Sequence, residues 1–287
     1  MTKRHAYLIL AHSQYSLLQE LVKTLDHTQN DIYIHIDRKS ALPESLRAEH
    51  SQIHFVEPRV DVRWGHESQI WAEMSLFKYA VNQSVTYDYY HLISGTHLPL
   101  YGQAYIHRYF EEMKGKQVLA KWETNAFQTE QKVRRYNLFM RNFAHANPRI
   151  ARLNQVLWRM GHMIQRLLGV RRNKQVHFYF ASNWVSLTHA AVQYIVSQER
   201  EVRKIFRYSL CGDEYFVPTV LENSDTKWDI VYADDLLLHE IGVANARTFT
   251  MQDLALLRSS PCLFARKFSE QDMELVHTIV ALARSRT

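Results

Sequence analysis

The first 37 residues carry a strand–helix–strand pattern, and this pattern limits the folds open to the chain more than any other feature. Residues 6–11 form a compact apolar run, and three isoleucines alternate with polar residues between positions 31 and 37. Between these runs, apolar side chains recur at helical spacing, at Leu17, Leu18, Leu21, Val22 and Leu25. Two strands joined by a helix are typical of parallel pairing, so the pattern predicts an α/β fold. In such folds ligands bind outside the carboxyl ends of the strands, here near Leu10–His12 and Asp37.

Further periodic segments extend this pattern along a chain of 287 residues. They predict more strands at residues 53–56, 89–93, 118–120, 176–182 and 230–233. They predict helices at about residues 68–81, 190–203 and 273–283. Because 46% of the residues are hydrophobic and no linker-like segment or internal repeat occurs, the chain can bury one full-sized core. We therefore expect a single domain over residues 1–287.

The charge balance favours an anionic partner. A formal net charge of +6 suits nucleic acid, anionic lipid or a phosphate-bearing substrate, and composition does not choose among them. Cys211 and Cys262 are the only cysteines, so we expect free thiols in a reducing cytoplasm and no disulfide framework. The first apolar run is too short for a signal peptide, and no run reaches the roughly 18 residues of a membrane span. These features predict a soluble, cytoplasmic protein.

Residues 131–174 form a strongly basic segment without one acidic residue. Apolar residues keep helical spacing through its second half, and three arginines recur every seven residues on the other face, at Arg152, Arg159 and Arg166. The pattern predicts a basic amphipathic helix at about residues 149–170. We expect its apolar face to pack on the protein and its arginines to lie in solvent. Attachment to an anionic membrane surface and a nucleic-acid patch are the two alternatives.

The segment 209–224 places a small-residue turn and two adjacent carboxylates, Asp213 and Glu214, directly before an apolar run. It predicts a turn that opens a helix, with Glu214 in the first helical turn, where unpaired backbone N–H groups favour a negative charge. A carboxylate on a fixed turn can act as a general base when a substrate hydroxyl comes within about 3 Å. Alternatively, Asp213 caps the helix and Glu214 only complements the helix dipole.

The same segment resembles the signature of the family of core-2/I-branching β-1,6-N-acetylglucosaminyltransferases and peptide O-xylosyltransferases, which is glycosyltransferase family 14. Four more blocks are similar to that family in the same order, at residues 33–39, 62–66, 91–100 and 263–268. Because the blocks lie in register over most of the chain, it is identified as a member of this family. The lack of a cysteine-rich, membrane-anchored start, which the animal members have, suggests a bacterial relative.

The resemblance implies an α/β fold of the GT-A nucleotide-binding type, with a mixed, mostly parallel central sheet flanked by helices. Residues 1–120 would hold the nucleotide sugar, and residues 121–287 would bind the acceptor and carry catalysis. Transfer would be inverting, with Glu214 as the catalytic base. No Asp-x-Asp metal motif occurs, and the adjacent Asp234 and Asp235 would point to opposite faces of an extended segment. We therefore expect neither a metal nor another cofactor.

In this family an arginine and a lysine stabilise the leaving diphosphate in place of a metal. Arg247 and Lys267 fall at the matching positions, with Arg258 and Arg266 as competing cations. The other donor-binding residues that the resemblance implies are Leu10, Asp37, Arg63 and Trp64. The acceptor-binding residues that it implies are Glu123, Lys132, Arg135 and Tyr232.

The expected function is transfer of a sugar, most simply N-acetylglucosamine, from a UDP-sugar to a hydroxyl of a glycan acceptor in β-linkage. The expected setting is synthesis of a cell-surface polysaccharide or lipooligosaccharide, with an acceptor that can be lipid-linked and a peripheral contact with the inner membrane face. Transfer of xylose, glucose or galactose is an alternative within the family. A different class is also open, namely a basic protein that binds membrane or nucleic acid and has a vestigial pocket. The first hypothesis needs no nucleic acid.

Overall fold

The computed structural model describes residues 3–240 and 246–287. The strands are β1 (His5–Ala11), β2 (Asn30–Ile36), β3 (Gln52–Phe55), β4 (Tyr89–Ser94), β5 (His97–Pro99), β6 (Gln117–Ala120), β7 (Val185–Thr188), β8 (Ile230–Ala233), β9 (Leu237–His239) and β10 (Phe264–Arg266). The helices are α1 (Tyr15–Leu25), α2 (Ser68–Val81), α3 (Gln103–Glu112), α4 (Ala126–Val133), α5 (Pro148–Leu167), α6 (His189–Ser197), α7 (Glu199–Phe206), α8 (Asp213–Glu222), α9 (Leu254–Ser259) and α10 (Met273–Ser285).

Seven strands form the central sheet, in the order β3-β2-β1-β4-β7-β6-β8. Strand β7 runs antiparallel to its neighbours β4 and β6, and the other neighbouring pairs are parallel. Helices α1 and α2 both pack against this sheet. The predicted α/β class, with a mixed, mostly parallel sheet flanked by helices, is therefore confirmed.

Strand β1 lies at the centre of the core. It pairs with β2 on one side and β4 on the other, and only Leu10 along its length is more than slightly accessible. A parallel strand that is covered on both faces must be apolar on both. This explains why residues 6–11 form a continuous apolar run instead of an alternating one.

A second sheet, in the order β5-β10-β9, brings the C-terminal part of the chain to the edge where the central strands end. Just beyond β10, the amide of Phe268 donates to the carbonyl of Thr96, at 3.0 Å. The amide of Gly95 in turn donates to the carbonyl of Leu10, at 2.9 Å. Lys267 therefore lies near the carboxyl ends of β1 and β4.

Two predicted elements differ from the structure. Residues 176–182, all of which are described, form no strand, because the amides of Tyr179 and Ala181 donate to Thr219 Oγ1 and to the carbonyl of Glu214. This segment is bound mainly to α8, and the amide of Ser182 at its end donates to the carbonyl of Ala120 in β6, at 3.0 Å. The helix predicted over residues 190–203 is two helices, α6 and α7, which meet at Gln198.

Helix α5 confirms the predicted basic helix, but the expected packing of its apolar face on the protein was wrong. The two buried side chains of α5 are the polar His162 and Gln165. His162 is hydrogen-bonded to Gln131 in α4 and to Asn137, and Gln165 donates to the carbonyl of Tyr136, in the segment that follows α4. Seven apolar side chains of the helix, from Ile150 to Leu167, are consequently exposed, whereas Trp158 faces the protein and donates to Asn137.

Candidate active site

The turn before α8 is held by two segments that are distant in the sequence. The amide of Leu210 donates to the carbonyl of Lys132, and the amide of Cys211 donates to the carbonyl of Gly65, both at 2.9 Å. Cys211 has a positive φ of 48°, so the turn depends on these external partners to hold a conformation that is uncommon for a side-chain-bearing residue. The orientation of α8 is therefore tied to both segments.

Gly212 is required by the same turn. A Cβ atom added to Gly212 would lie 2.2 Å from Ser209 Oγ, well inside van der Waals contact. Gly212 is also the residue that precedes the first residue of α8. The alternative in which Asp213 is the N-cap was wrong, because Gly212 holds that position and Asp213 is the first helical residue.

Glu214 forms an ion pair with Lys132, whose Nζ lies 2.6 Å from Glu214 Oε2. Both side chains are about one-fifth exposed, at 21% for Glu214 and 20% for Lys132. Lys132 Nζ also lies 5.5 Å from the centre of the Phe180 ring. Burial lowers the pKa of Lys132, but the charge and hydrogen bond of Glu214 outweigh burial and raise this pKa above its ordinary value. Glu214 thus presents a fixed carboxylate whose Oε1 receives no hydrogen bond from the residues that the structure describes.

Two further carboxylates lie behind Glu214, and the sequence interpretation missed one of them. Asp213 accepts a hydrogen bond from Gln69 Nε2 at 2.9 Å, and the fully buried Glu73 accepts one from Asn183 Nδ2 at 3.4 Å. Burial, and then the charge of Glu214, raises the pKa of Asp213 to about 7. Burial, and then the charge of Asp213, raises the pKa of Glu73 well above its ordinary value. Burial thus favours the protonated form of Glu73, and Glu214 is the one of these three carboxylates that is paired with a lysine.

Leu10 and Asp37, which were predicted to bind the donor, lie side by side at the carboxyl edge of the sheet. The amide of Asp37 donates to the carbonyl of Ala11, the residue after Leu10, at 2.9 Å. The Asp37 carboxylate is paired with Lys39 Nζ, at 2.7 Å. Lys39 in turn lies 2.9 Å from Asp61. This edge therefore carries a compact network of opposite charges.

A cleft of about 520 Å³ adjoins this network. Four arginines line it, namely Arg38, Arg59, Arg63 and Arg141. Asp61 is the one carboxylate in its lining, and hydrogen bonds from Arg63, together with Lys39, lower the pKa of Asp61 to about 2. With four guanidinium groups and one carboxylate, the cleft carries net positive charge and suits an anionic ligand.

Trp64 connects this cleft with the turn before α8. It follows Arg63 and precedes Gly65, whose carbonyl binds the amide of Cys211. Its ring is 45% exposed and stacks on Phe143, with the ring centres 6.2 Å apart and the planes 18° apart. An exposed aromatic face at this point could stack on a sugar or a base.

The structure brings Arg247 and Lys267 together, since the amide of Lys267 donates to the carbonyl of Arg247 at 3.3 Å. Their side chains differ in ion pairing. The Arg247 guanidinium is paired with Glu240 and with Asp253, whose Oδ1 lies 2.8 Å away. Lys267 is half-buried, forms no ion pair within residues 3–240 and 246–287, and has a pKa that is lowered by burial and then by Arg266. Lys267 is therefore the cation with more capacity for a bound anion.

Arg266, which the sequence suggested only as a competing cation, lies next to the candidate site. Its guanidinium lies over the ring of Trp184, 4.8 Å from the ring centre. Burial lowers the pKa of Arg266 to about 10, and the nearby Asp213 partly offsets this effect. Arg266 therefore links the strand before Lys267 with the carboxylates behind Glu214.

The four predicted acceptor residues separate into two groups. Lys132 contacts Glu214, and the exposed Glu123 precedes Thr124, whose hydroxyl lies 3.2 Å from the Tyr215 hydroxyl. The structure does not bring Arg135 or Tyr232 to this site. The Arg135 guanidinium forms an ion pair with Glu130 and donates to backbone carbonyls at the end of α5. The Tyr232 hydroxyl donates to Glu222, which lies about 12 Å along α8 from Glu214.

Among the described residues, no group of three or more His, Cys, Asp or Glu side chains is arranged to hold a metal ion. None of the helices in the same residue ranges has both the length and the apolar character needed to cross a bilayer.

Comparison with known proteins gives three findings. The sequence model of the family described as "Branch: Core-2/I-Branching enzyme" matches residues 5–239, a range that runs from β1 to β9 and includes Glu214. A curated xylosyltransferase of Ciona intestinalis is 22% identical over 292 residues, which cover 93% of this chain and 32% of that protein. The chain thus spans about a third of the length of that relative. Among solved structures, apo mouse xyloside xylosyltransferase 1 has 10% identity and a TM-score of 0.37, with coverage of 92% of this chain and 97% of that one.

Proposed function

The chain belongs to the Core-2/I-branching enzyme family, and we propose that it is a glycosyltransferase in which Glu214 is the general base of an inverting sugar transfer. The observation that carries this proposal is the position of Glu214. Its carboxylate lies in the first turn of α8, one oxygen is held by Lys132, and Oε1 remains available to a substrate. Unpaired amides in the first turn of a helix add favourable potential for that negative charge.

The proposed reaction is a single displacement. The acceptor hydroxyl oxygen forms a bond to the anomeric carbon of an α-linked UDP-sugar as the bond from that carbon to the diphosphate oxygen breaks. UDP leaves with the bonding electron pair, and the acceptor proton passes to Glu214. Because attack comes from the face opposite UDP, the product is a β-linkage.

The leaving diphosphate needs positive charge, and we propose that Lys267 is the main source, with Arg247 beside it. Lys267 is supported by its half-buried position and by its lack of an ion pair within the described ranges. Arg247 would have to share its guanidinium with Glu240 and Asp253. We propose that cations of the chain, and not a bound metal, stabilise the departing charge.

For the donor, we propose that the uridine end lies at Leu10 and Asp37, and that the arginine-lined cleft and Trp64 contact the rest of the nucleotide sugar. N-acetylglucosamine is the proposed sugar, and xylose is the first alternative because the curated relative is named as a xylosyltransferase. The proposed acceptor is a glycan hydroxyl close to Lys132 and Glu123. Assembly of a cell-surface polysaccharide or lipooligosaccharide, on a lipid-linked acceptor at the cytoplasmic face of a membrane, would supply such an acceptor.

Glu214→Gln tests the base directly. The amide keeps the size of the side chain but cannot take the proton, so we expect kcat to fall by roughly 10²- to 10⁴-fold. UDP should still raise the melting temperature of the variant in EDTA, since binding of UDP does not need the base. Glu222→Gln, at the other end of α8 and bonded to Tyr232, is the matched control and should retain transfer. Equal activity of the Glu214→Gln variant and the wild type would refute the assignment.

The donor is identified in the same assay with UDP-N-acetylglucosamine, UDP-xylose, UDP-glucose, UDP-galactose and a GDP-sugar, each in EDTA. We expect UDP and one UDP-sugar to stabilise the protein and to support turnover without metal. Stabilisation that appears only after Mn²⁺ is added would contradict the proposed role of Lys267.

A further inference from the structure

Helix α5 is attached to the protein through its polar side chains. His162 Nε2 lies 3.0 Å from Asn137 Oδ1, Trp158 Nε1 donates to the same oxygen at 2.8 Å, and Gln165 Nε2 donates to the carbonyl of Tyr136 at 2.9 Å. A surface helix of a globular protein ordinarily buries its apolar face and exposes its polar one. In α5 this arrangement is reversed.

The apolar side of α5 is exposed along the whole helix. The accessible fraction rises from 38% at Ile150 to 79% at Leu167. Between these two, the exposed apolar side chains include Leu153, Met160, Met163 and Ile164. At about 100° per residue they occupy an arc of roughly 140°, over about 26 Å of helix axis. The exposed Leu138 and Phe139, in the segment that binds α5, add to the apolar surface.

Arginines border this apolar face. Arg152, Arg159 and Arg166 recur every seven residues, and all three are exposed. At about 100° per residue they lie at one edge of the apolar arc, between it and the side that contacts the protein. No acidic residue occurs from residue 131 to residue 174 to neutralise them.

We propose that the outer face of α5, which we define by Ile150, Leu153, Met160, Met163, Ile164 and Leu167 with the three bordering arginines, docks on an anionic lipid bilayer. A helix with an exposed apolar face and a basic border lies in the plane of the interface, with its apolar side chains at the boundary of headgroups and acyl chains. Guanidinium groups at the edge then meet anionic headgroups. A second copy of the chain fits this face less well, because an antiparallel symmetric contact would place the two arginine rows at the same edge, where they repel each other.

The attachment of α5 also links this face to the catalytic site. Asn137, which accepts from Trp158, donates through Nδ2 to the carbonyl of Lys132 at 2.9 Å, and Lys132 pairs with Glu214. Docking of α5 would therefore hold Glu214 near the membrane surface. This consequence rests on the proposed function and deepens it, since it names a lipid-linked glycan as the acceptor that docking would serve.

The test is sedimentation with vesicles, in the absence of sugar donor. The full chain should bind vesicles of equal parts phosphatidylglycerol and phosphatidylcholine, and bind phosphatidylcholine vesicles much more weakly. Replacing Arg152, Arg159 and Arg166 by Ser should weaken binding to the anionic vesicles by roughly 100-fold. Replacing Leu153, Met160 and Leu167 by Ser should abolish it. In the control, Ser replaces Leu42 and Leu256, which are exposed apolar residues on other parts of the surface. This variant should bind anionic vesicles like the wild type.

Three outcomes would overturn the proposal. The first is that the full chain does not bind anionic vesicles. The second is that the wild type and both α5 variants bind them equally. The third is that the wild type forms a concentration-dependent dimer, whereas the variant with Leu153, Met160 and Leu167 replaced is a monomer. Transfer to a soluble sugar acceptor, measured on the same samples, separates this result from the proposed function. An α5 variant that loses vesicle binding but keeps transfer would support the proposal, whereas a wild-type chain that binds anionic vesicles but transfers no sugar would count against the proposed function only.

Discussion

Lys132 Nζ lies 2.6 Å from Glu214 Oε2, although the two residues are 82 positions apart in the chain. The same lysine holds the turn before α8 through its carbonyl, which accepts from the amide of Leu210. Lys132 therefore positions Glu214 twice, through the side chain and through the backbone. A substitution of Lys132 removes only the first of these contacts, so the side-chain contribution can be measured alone.

Lys132→Met should lower kcat/KM by on the order of 100-fold, because a catalytic group that shifts by about 1 Å loses that much. UDP binding should change little. The control is Lys121→Met, which breaks the exposed Lys121–Asp234 pair, where the two side chains are 3.2 Å apart. A Lys132→Met variant that is as active as the control would show that the pair does not position the base.

Lys267→Met should reduce kcat more than Arg247→Met does. Removing one donor to a developing negative charge ordinarily costs 10²- to 10³-fold, or roughly 3 to 4 kcal/mol of transition-state stabilisation. Arg247 is paired with Glu240 and Asp253, so we expect a smaller loss of kcat from its removal. Steady-state kinetics in EDTA compares the two variants. Equal losses would mean that Arg247 leaves its carboxylates when UDP is bound.

Gly212→Ala should destabilise the fold, because the new Cβ would meet Ser209 Oγ at 2.2 Å. Overpacking of this kind costs about 1 to 3 kcal/mol. Gly161→Ala is the matched control. It lies inside α5 with nothing within 4 Å of the added Cβ, so it should be neutral or stabilising by up to about 1 kcal/mol. Urea unfolding measures both, and a neutral Gly212→Ala variant would contradict the turn geometry.

Titration of Asp213 should make the free energy of unfolding depend on pH. Its pKa is about 7 in the folded protein against an ordinary 3.8, so between these values the folded state holds a proton that the unfolded state has released. The free energy of unfolding therefore falls as pH rises through this window and then levels off. The titratable and charged groups around Asp213 are Glu73, Glu214, Lys132, Arg266 and Cys211.

Asp213→Asn removes this titration, so its free energy of unfolding should depend less on pH between pH 4 and pH 7 than that of the wild type. Glu73→Gln should flatten the same window, since its pKa is also raised. The exposed Asp225→Asn serves as the control and should follow the wild-type curve. Parallel curves for wild type and Asp213→Asn in urea unfolding at a series of pH values would show that Asp213 is not protonated in the fold.

The parts of the structure that the sequence predicted best are those with a strong local pattern. The strands at 6–11 and 31–37 and the position of Glu214 in the first turn of α8 follow from hydrophobic periodicity and turn residues. Glu73 also left a signal, because it is the one acidic residue in the largely apolar α2. An acid on the buried side of such a helix needs a partner, and here Asn183 donates a hydrogen bond to it.

Side-chain direction was the part that sequence could not supply. Arg135 and Tyr232 match family positions, yet the carbonyls of Gln165 and Val170 bind the first and Glu222 binds the second. Likewise, amphipathic spacing shows that α5 has two faces, but not which one contacts the protein. Hydrogen bonds of His162 and Gln165 to a segment about 30 residues earlier decide that orientation.

The turn before α8 also has a consequence for how the protein gains activity. Its backbone partners, Gly65 and Lys132, lie far upstream in the chain. The contacts that position Glu214 therefore close long loops, and they form only after the conformational entropy of those loops has been lost. The β1-α1-β2 unit, in contrast, is local and can form early. On refolding, recovery of the far-ultraviolet circular dichroism signal should therefore precede recovery of catalysis. The rate at which sugar transfer returns would then measure the last step of folding.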